Sequence, residues 1–180
     1  MKNDPPPQAS PRWILPLYAL IMLLGLLSPF VISAYRKQQI FNNEQAVIVR
    51  MREYAAAQEA HFKEAHEYAQ EFPKLGSAWA DTPVLLPKAT DDFAGYRFRI
   101  LDGQNASAEG GAMSYVDDKG KMTGGYGLLA APVKYGFTGN YTFLMRGPTI
   151  YYVDFGVKTD QFVKSPTEFF IPPHSTILKP

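Results

Sequence analysis

Trp13–Tyr35 reads WILPLYALIMLLGLLSPFVISAY and contains no charged residue. At about 1.5 Å rise per residue, a helix of this length crosses a hydrocarbon core of about 30 Å. The run is longer than the apolar core of a signal peptide, about 7 to 15 residues. No Ala-x-Ala cleavage pattern follows it: with Ala34 as the last residue before a cut, Ile32 stands where a small residue is needed. The stretch therefore predicts one uncleaved transmembrane helix over residues 13–35. Pro16 falls in its first turn, where a missing N–H costs little. Pro29 falls in its interior and predicts a kink. Trp13, Tyr18 and Tyr35 lie toward the ends, as interfacial aromatics do. Gly25 and Ser28 are small enough to let a second helix approach closely.

Upstream, residues 1–12 (MKNDPPPQASPR) form a Pro-rich tail. Pro5, Pro6 and Pro7 favour polyproline II and exclude a helix. The tail reads as a disordered terminus or, alternatively, as an extended arm on a partner. Lys2 and Arg12 flank the apolar run on this side, against Arg36 and Lys37 on the other, with Arg50 and Arg52 further on. Charge bias alone favours a cytoplasmic C-terminal domain by a small margin.

Downstream, Val47, Met51, Tyr54, Gln58, Phe62, Ala65, Ala69 and Phe72 recur every three or four residues. This predicts an amphipathic helix over 36–75, its stripe packed on a sheet. Glu44, Glu53, Glu59, Glu64, Glu67, Arg52 and Lys63 are assigned largely off the stripe. Phe62 is expected at the interface, where truncation to alanine would cost about 3 to 5 kcal/mol if fully buried. Asn42 followed by Gln45 resembles a helix start, so a break near 41–43 is expected, a continuous helix being the alternative. Pro73 and Gly76 are expected to end it. Residues 76–94 read as a Pro-rich connector, with Leu85 and Leu86 tucked into the core.

From Gly95 the period changes to two. Tyr96, Phe98 and Ile100 alternate with Arg97, Arg99 and Leu101 in a strand with one polar face. Ala112–Val116 and Met122–Ala131 read as the next strands, joined through Asp117–Lys121, with Gly124, Gly125 and Gly127 marking a bulge or a close backbone approach. Tyr141–Met145 and Ile150–Phe155 form a hairpin across Arg146-Gly147-Pro148, and 161–171 adds an edge strand. Pro166, Pro172, Pro173 and Pro180 argue against regular structure at the C-terminus. The expected fold class is α+β: a transmembrane helix, an amphipathic helix, and an antiparallel β meander of four to six strands over 95–180. Tyr96, Phe98, Tyr115, Tyr126, Phe143 and Tyr151 are its candidate packing residues.

The chain has 180 residues, 18 basic against 17 acidic, and no cysteine. Near-neutral charge gives no reason to propose a nucleic-acid partner. Without cysteine there is no disulfide, thiolate metal site or thiol nucleophile. His61 and His66 are five apart and off one helical face, His174 is remote, and no His-Glu-x-x-His occurs, so no metal site is predicted. Asp117-Asp118 lacks the spaced ligands and distal glutamate of a calcium loop. Ser107 and Ser114 have no Gly-x-Ser-x-Gly elbow. Asp91-Asp92 suits a turn, and the sequons at Asn105 and Asn140 are common chance matches. No catalytic, cofactor-binding or metal-binding residue is assigned, no small-molecule substrate is identified, and the chain reads as a non-enzyme.

The pieces Gly95-Tyr96-Arg97-Phe98-Arg99-Ile100-Leu101, Gly110-Gly111-Ala112 with Tyr115-Val116, and Gly120-Lys121-Met122 with Gly124-Gly125-Tyr126 stand in a definite order. Ala131-Pro132, Tyr135-Gly136, Thr138-Gly139 and Asp154-Phe155-Gly156 continue it. Over residues 95–159 this series resembles the exported bacterial family known as domain of unknown function twenty-nine-fifty. That resemblance implies an envelope domain of no established activity and supplies no catalytic residues. The layout also resembles a type IV pilin, but without its basic leader, its Gly cleavage position and the Glu after it. Three functions follow as expectations. The first is an accessory or structural subunit of a larger bacterial membrane complex, whether photosynthetic, respiratory or transport. The second is a pilin-like or secretion-system component that self-assembles. The third is an envelope ligand-binding domain or unrecognised enzyme. The exported resemblance outweighs the small charge bias and places the N-terminus in the cytoplasm and residues 36–180 in the periplasm, with the bilayer and other membrane subunits as partners.

Overall fold

The computed structural model describes residues 14–82, 92–104, 106, 111–156, 168–169 and 176–178. The expectations for the tail 1–12, Trp13, Leu85, Leu86, Asp91, Asn105, Ser107, Gly110 and His174 lie outside these residues, as does most of the edge strand expected over 161–171. The chain divides into two compact units, Met1–Gln38 and Gln39–Pro180.

In the first unit, helix α1 (Ile14–Ala65) begins. It is the one helix among the described residues long and apolar enough to cross a membrane, its most apolar window having mean hydropathy 2.2 and no buried residue. That property of length and composition is shared by anchors and signal sequences. Pro29 sits inside the helix. Having no N–H, it leaves the carbonyl four residues back, that of Gly25, without its helical donor. Ser28 Oγ donates to that oxygen at 2.9 Å, a repair of the kind membrane helices use around proline.

The second unit contains the rest of α1 and a five-stranded antiparallel sheet. The helix runs unbroken through 41–43, so the expected break is absent. Between Asn42 and Gln45, the pair that resembled a helix start, two polar residues are bonded to the sheet domain: Asn43 Nδ2 donates to Thr138 O at 2.9 Å, and Glu44 Oε1 accepts from Asn140 N at 2.8 Å. The helix also ends at Ala65, short of the expected 75. His66, at φ 55°, adopts the left-handed conformation and its N–H closes on Phe62 O at 2.9 Å, an αL stop. Beyond it, Gln58 captures the returning chain. Its amide donates to Ala69 O at 2.8 Å and accepts from Ala69 N at 2.7 Å.

A 3-10 turn (Phe72–Leu75) and the short helix α2 (Ser77–Ala80) follow, burying Phe72 and Trp79. The strands are β1 (Tyr96–Leu101), β2 (Gly103–Gln104), β3 (Met113–Ser114), β4 (Gly127–Pro132), β5 (Tyr141–Arg146), β6 (Thr149–Asp154), β7 (Glu168–Phe169) and β8 (Thr176–Leu178). The main sheet has the order β1-β4-β5-β6-β8, so chain order is kept and every neighbouring pair is antiparallel. The meander therefore stands, with one correction. Ala112–Val116 is not its second strand: β3 pairs with β2 in a small side sheet, β3-β2-β7, in which β2 and β7 are parallel. Thr123 N and Gly124 N both donate to Tyr115 O. A Cβ at Gly124 would meet Ser114 O at 3.0 Å, so glycine permits the close approach that the sequence predicted. A second correction concerns the Pro-rich C-terminus, where β8 pairs on the open edge of β6.

Register assigns Tyr96, Phe98, Leu128, Ala130, Phe143, Met145 and Ile150 to one face of the main sheet. They form one core with Val47, Ile48, Met51 and Tyr54 of α1. Tyr54 meets Phe72, Trp79 and Tyr126 edge to face at 6.1, 5.7 and 6.0 Å, a favourable ring geometry. Phe62 is half-buried and stacked on Tyr68 at 4.5 Å, so the full-burial cost expected for its truncation does not apply. All six candidate packing residues are buried, Tyr151 on the opposite face. That opposite face is not simply polar: Leu129, Thr142, Leu144 and Val153 are buried there too.

Candidate functional site

Hollows among the described residues of the second unit include three. A cleft of about 420 Å³ is walled by Asp102, Gln104 and Ser114 at the side sheet. One of about 380 Å³ lies between Phe72, Thr82 and Arg99. The third, about 230 Å³, lies against Phe41, Glu44, Gln45 and Ile48 of α1. Its sheet wall is Tyr141, Phe143, Tyr152 and Leu178. Of these three it is the one that combines a buried carboxylate with a wall of rings, and it is the candidate site.

Helical spacing presents Phe41, Glu44, Gln45 and Ile48 on one side of α1, since residues three, four and seven apart share a face. On the sheet, Phe143 stands opposite Tyr152 and Tyr141 opposite Asp154, which gathers the rings at one end of the β5–β6 hairpin. Tyr141 and Tyr152 are 5.0 Å apart at 75°, and Tyr141 and Phe143 are 6.5 Å apart at 68°. Phe143 and Tyr152 are 6.5 Å apart at 43°. These rings present faces in different directions, as the walls of a box do. Tyr96 Oη donates to Tyr141 O at 2.9 Å and fixes the base of β5.

Glu44 is only 8% exposed. Oε1 accepts from Asn140 N at 2.8 Å and from Tyr141 N at 3.4 Å. Burial pushes its carboxyl above the usual carboxylate range, the backbone hydrogen bonds act against that rise, and the charge of Asp154 adds to it. Among the described residues no ion pair reaches Glu44; those formed are Arg50–Glu53 and Lys121–Glu67. A buried carboxylate without a cationic partner is costly.

The other polar side chains behave differently. Arg50 lies 3.6 Å from the centroid of Trp79 and donates to Ala78 O at 2.6 Å, a cation on an aromatic face that also ties α2 to α1. Of the residues weighed from sequence, Ser114 Oγ donates to Val116 O and accepts from Val116 N. Asp117 Oδ1 accepts from Lys119 N and Lys121 N, both at 2.9 Å, within the turn that Gly120 completes at φ 77°. These backbone donors, Lys121 N foremost, stabilise the carboxylate and hold its pKa below the usual range. Asn140 reaches the candidate site through its main-chain N–H. His61 and His66 join no group of three metal-capable side chains among the described residues. Glu44 was missed because it was counted off the stripe. Yet Glu44, Val47, Ile48 and Met51 fall at i, i+3, i+4 and i+7, a signal sufficient to place it inside.

No curated protein and no solved structure matches the chain, and the pilin-like layout has no solved structure behind it. A family model does match, over residues 74–176. That span begins in the 3-10 turn and takes in the side sheet and the strands that carry Tyr141, Phe143 and Tyr152, while α1 with Glu44 lies before it. With more than half of its length inside this span, the chain belongs to the family described as protein of unknown function (DUF2950).

Proposed function

We propose that this protein is a non-catalytic, single-pass accessory subunit of a larger complex in the bacterial inner membrane, with its sheet domain in the periplasm. The observation that carries the reading is a division of labour along the chain. The apolar side chains described from Leu17 to Tyr35 are exposed, whereas Asn43, Arg50, Gln58 and Asp117 each bond the protein's own backbone. Such a chain offers lipid-phase and surface contacts rather than convergent reactive groups. Within lipid, Gly25 and Ser28 offer the low-relief patch for a neighbouring helix; a Cβ at Gly25 would meet nothing within 4 Å.

Two measurements test this. After mild solubilisation of native membranes, the protein should sediment as part of a larger assembly, and Gly25→Leu with Ser28→Leu should release it. Sedimentation as a monomer before and after the substitution sinks the accessory reading, and a ladder of self-contacts favours the pilin-like alternative. Protease added outside right-side-out spheroplasts should remove the domain and spare the tail; protection there, with digestion in inverted vesicles, reverses the topology.

A further inference from the structure

We propose that the loop 133–138 is a second point of contact with the membrane, setting Val133 and Phe137 into the lipid head-group layer and Lys134 against lipid phosphate. The inference rests on the reading of the apolar run as a membrane anchor. Asn43 Nδ2 donates to Thr138 O at 2.9 Å, and Glu44 Oε1 accepts from Asn140 N at 2.8 Å. The loop therefore lies at the end of the second unit where α1 enters it, at Gln39. Between Tyr35, the last residue of the apolar run, and Asn43 the chain can extend at most about 28 Å. The loop is thus tethered within reach of the bilayer surface whatever the angle between the two units. Among the described residues of the second unit, Phe41, Val133 and Phe137 are large apolar side chains that stand exposed at this end, at 55%, 40% and 44%.

The main chain of the loop is closed on the protein. Val133 N donates to Gly95 O at 2.9 Å, Phe137 N and Thr138 N to Lys134 O at 3.1 and 2.9 Å, and Gly136 N to Gly139 O at 3.0 Å. Thr138 Oγ1 accepts from Lys134 N at 3.0 Å. Backbone that enters a membrane interface with its N–H groups already bonded avoids the cost of leaving them unpaired. Lys134 Nζ stands 4.0 Å from the centroid of the Phe137 ring. An ammonium beside a ring fits a layer in which phosphate oxygens overlie acyl chains. The neighbouring carboxylates are bonded to other donors: Asp92 accepts from Gly95 N, Asp154 from Gly156 N and Tyr135 Oη, and Glu44 from Asn140 N. A protein neighbour could also cover apolar side chains. The tether favours lipid, because it brings a bilayer to this end of the unit in every copy of the chain.

The chain has no cysteine, so a single introduced cysteine reports one position. Val133→Cys, Phe137→Cys, Tyr35→Cys and Lys119→Cys are made in the full chain and labelled with the polarity-sensitive fluorophore nitrobenzoxadiazole. Each is reconstituted in vesicles of phosphatidylcholine with a minority of phosphatidylglycerol, and quenching by lipids that carry a nitroxide on the acyl chain is measured. Lys119 is the distant control: its turn is fastened to Glu67 and Gln70 past the end of α1, and α1 runs about 33 Å from Asn43 to Ala65. The expected result is blue-shifted emission and quenching at 133 and 137 close to that at 35, with neither at 119. Adding Lys134→Glu to the Phe137→Cys chain should lower the quenching, and unchanged quenching overturns the phosphate contact. Val133 and Phe137 report independently, so the loss of one variant leaves the test intact. Quenching at 35 but at neither loop position overturns the proposal and leaves the anchor standing. No quenching at 35 removes the anchor, and the proposal with it. A label at 137 that is shielded in native membranes but water-exposed in the lipid vesicles assigns the loop to a protein neighbour and likewise overturns the proposal.

Discussion

At the scale of single residues, two positions make contacts that single substitutions test. Gly139 is one. A Cβ there would overlap Tyr96 Oη, the group that donates to Tyr141 O. Gly139→Ala is expected to destabilise the domain by about 1 to 3 kcal/mol, as overpacking does. The ring carbons Cζ and Cε2 of Tyr96 would be overlapped too, so Tyr96→Leu, which removes the ring, should make the double variant less destabilised than the two single losses summed; strict additivity in a thermal double-mutant cycle would contradict the contact. Glu44 is the other. Its folded-state pKa is raised by burial, so the folded state favours the protonated form. The stability tied to that proton is fully present below the ordinary glutamate range and is lost as pH rises through the raised value. Glu44→Gln does not titrate. The stability of the variant relative to wild type should therefore improve as pH rises from the ordinary glutamate range through the raised value, and a pH-independent difference in denaturant midpoints would contradict this.

At the scale of elements, the end of α1 is set by what the chain does next rather than by its helix-forming composition. Gln58 is fully buried and occupies both main-chain groups of Ala69. Gln58→Met fills the space but leaves that N–H and C=O without partners. The expected cost is about 2 to 4 kcal/mol, with faster hydrogen exchange at the Ala69 amide; an unchanged exchange rate would remove the latch from the account. His66 carries a side chain where helices prefer glycine. His66→Gly should stabilise by about 0.5 to 1 kcal/mol, because relief of left-handed strain exceeds the extra backbone entropy lost. A fall in melting temperature would show that the histidine makes a compensating contact. The helix stripe and the strand alternation were both legible in the sequence. The αL stop was not, since Pro73 and Gly76 offered stronger local signals further on.

At the scale of the whole molecule, unit Gln39–Pro180 contains the complete core, from Val47 and Met51 to Ile150. Residues 39–180 produced without the apolar run should fold, melt cooperatively and keep the near-ultraviolet signal of the buried Trp79. A non-cooperative product would show that the first unit is required for folding. The sequence alone settled the α+β class, the apolar run, the β5–β6 hairpin and the family. Each of these is written in local periodicity or in short ordered motifs. What the sequence could not decide were pairings between distant residues. Ala112–Val116 has the alternation of a sheet strand, yet the glycines at 124 and 125 let the backbone of 123–125 close on Tyr115, and β4 pairs with β1 instead. Glu44 reads as a surface charge until Asn140 and Tyr141 present their N–H groups to it across nearly a hundred residues. The candidate site exists only where α1 meets β5 and β6. Periodicity reports which face of one element is apolar; only tertiary packing decides which face of another element lies against it.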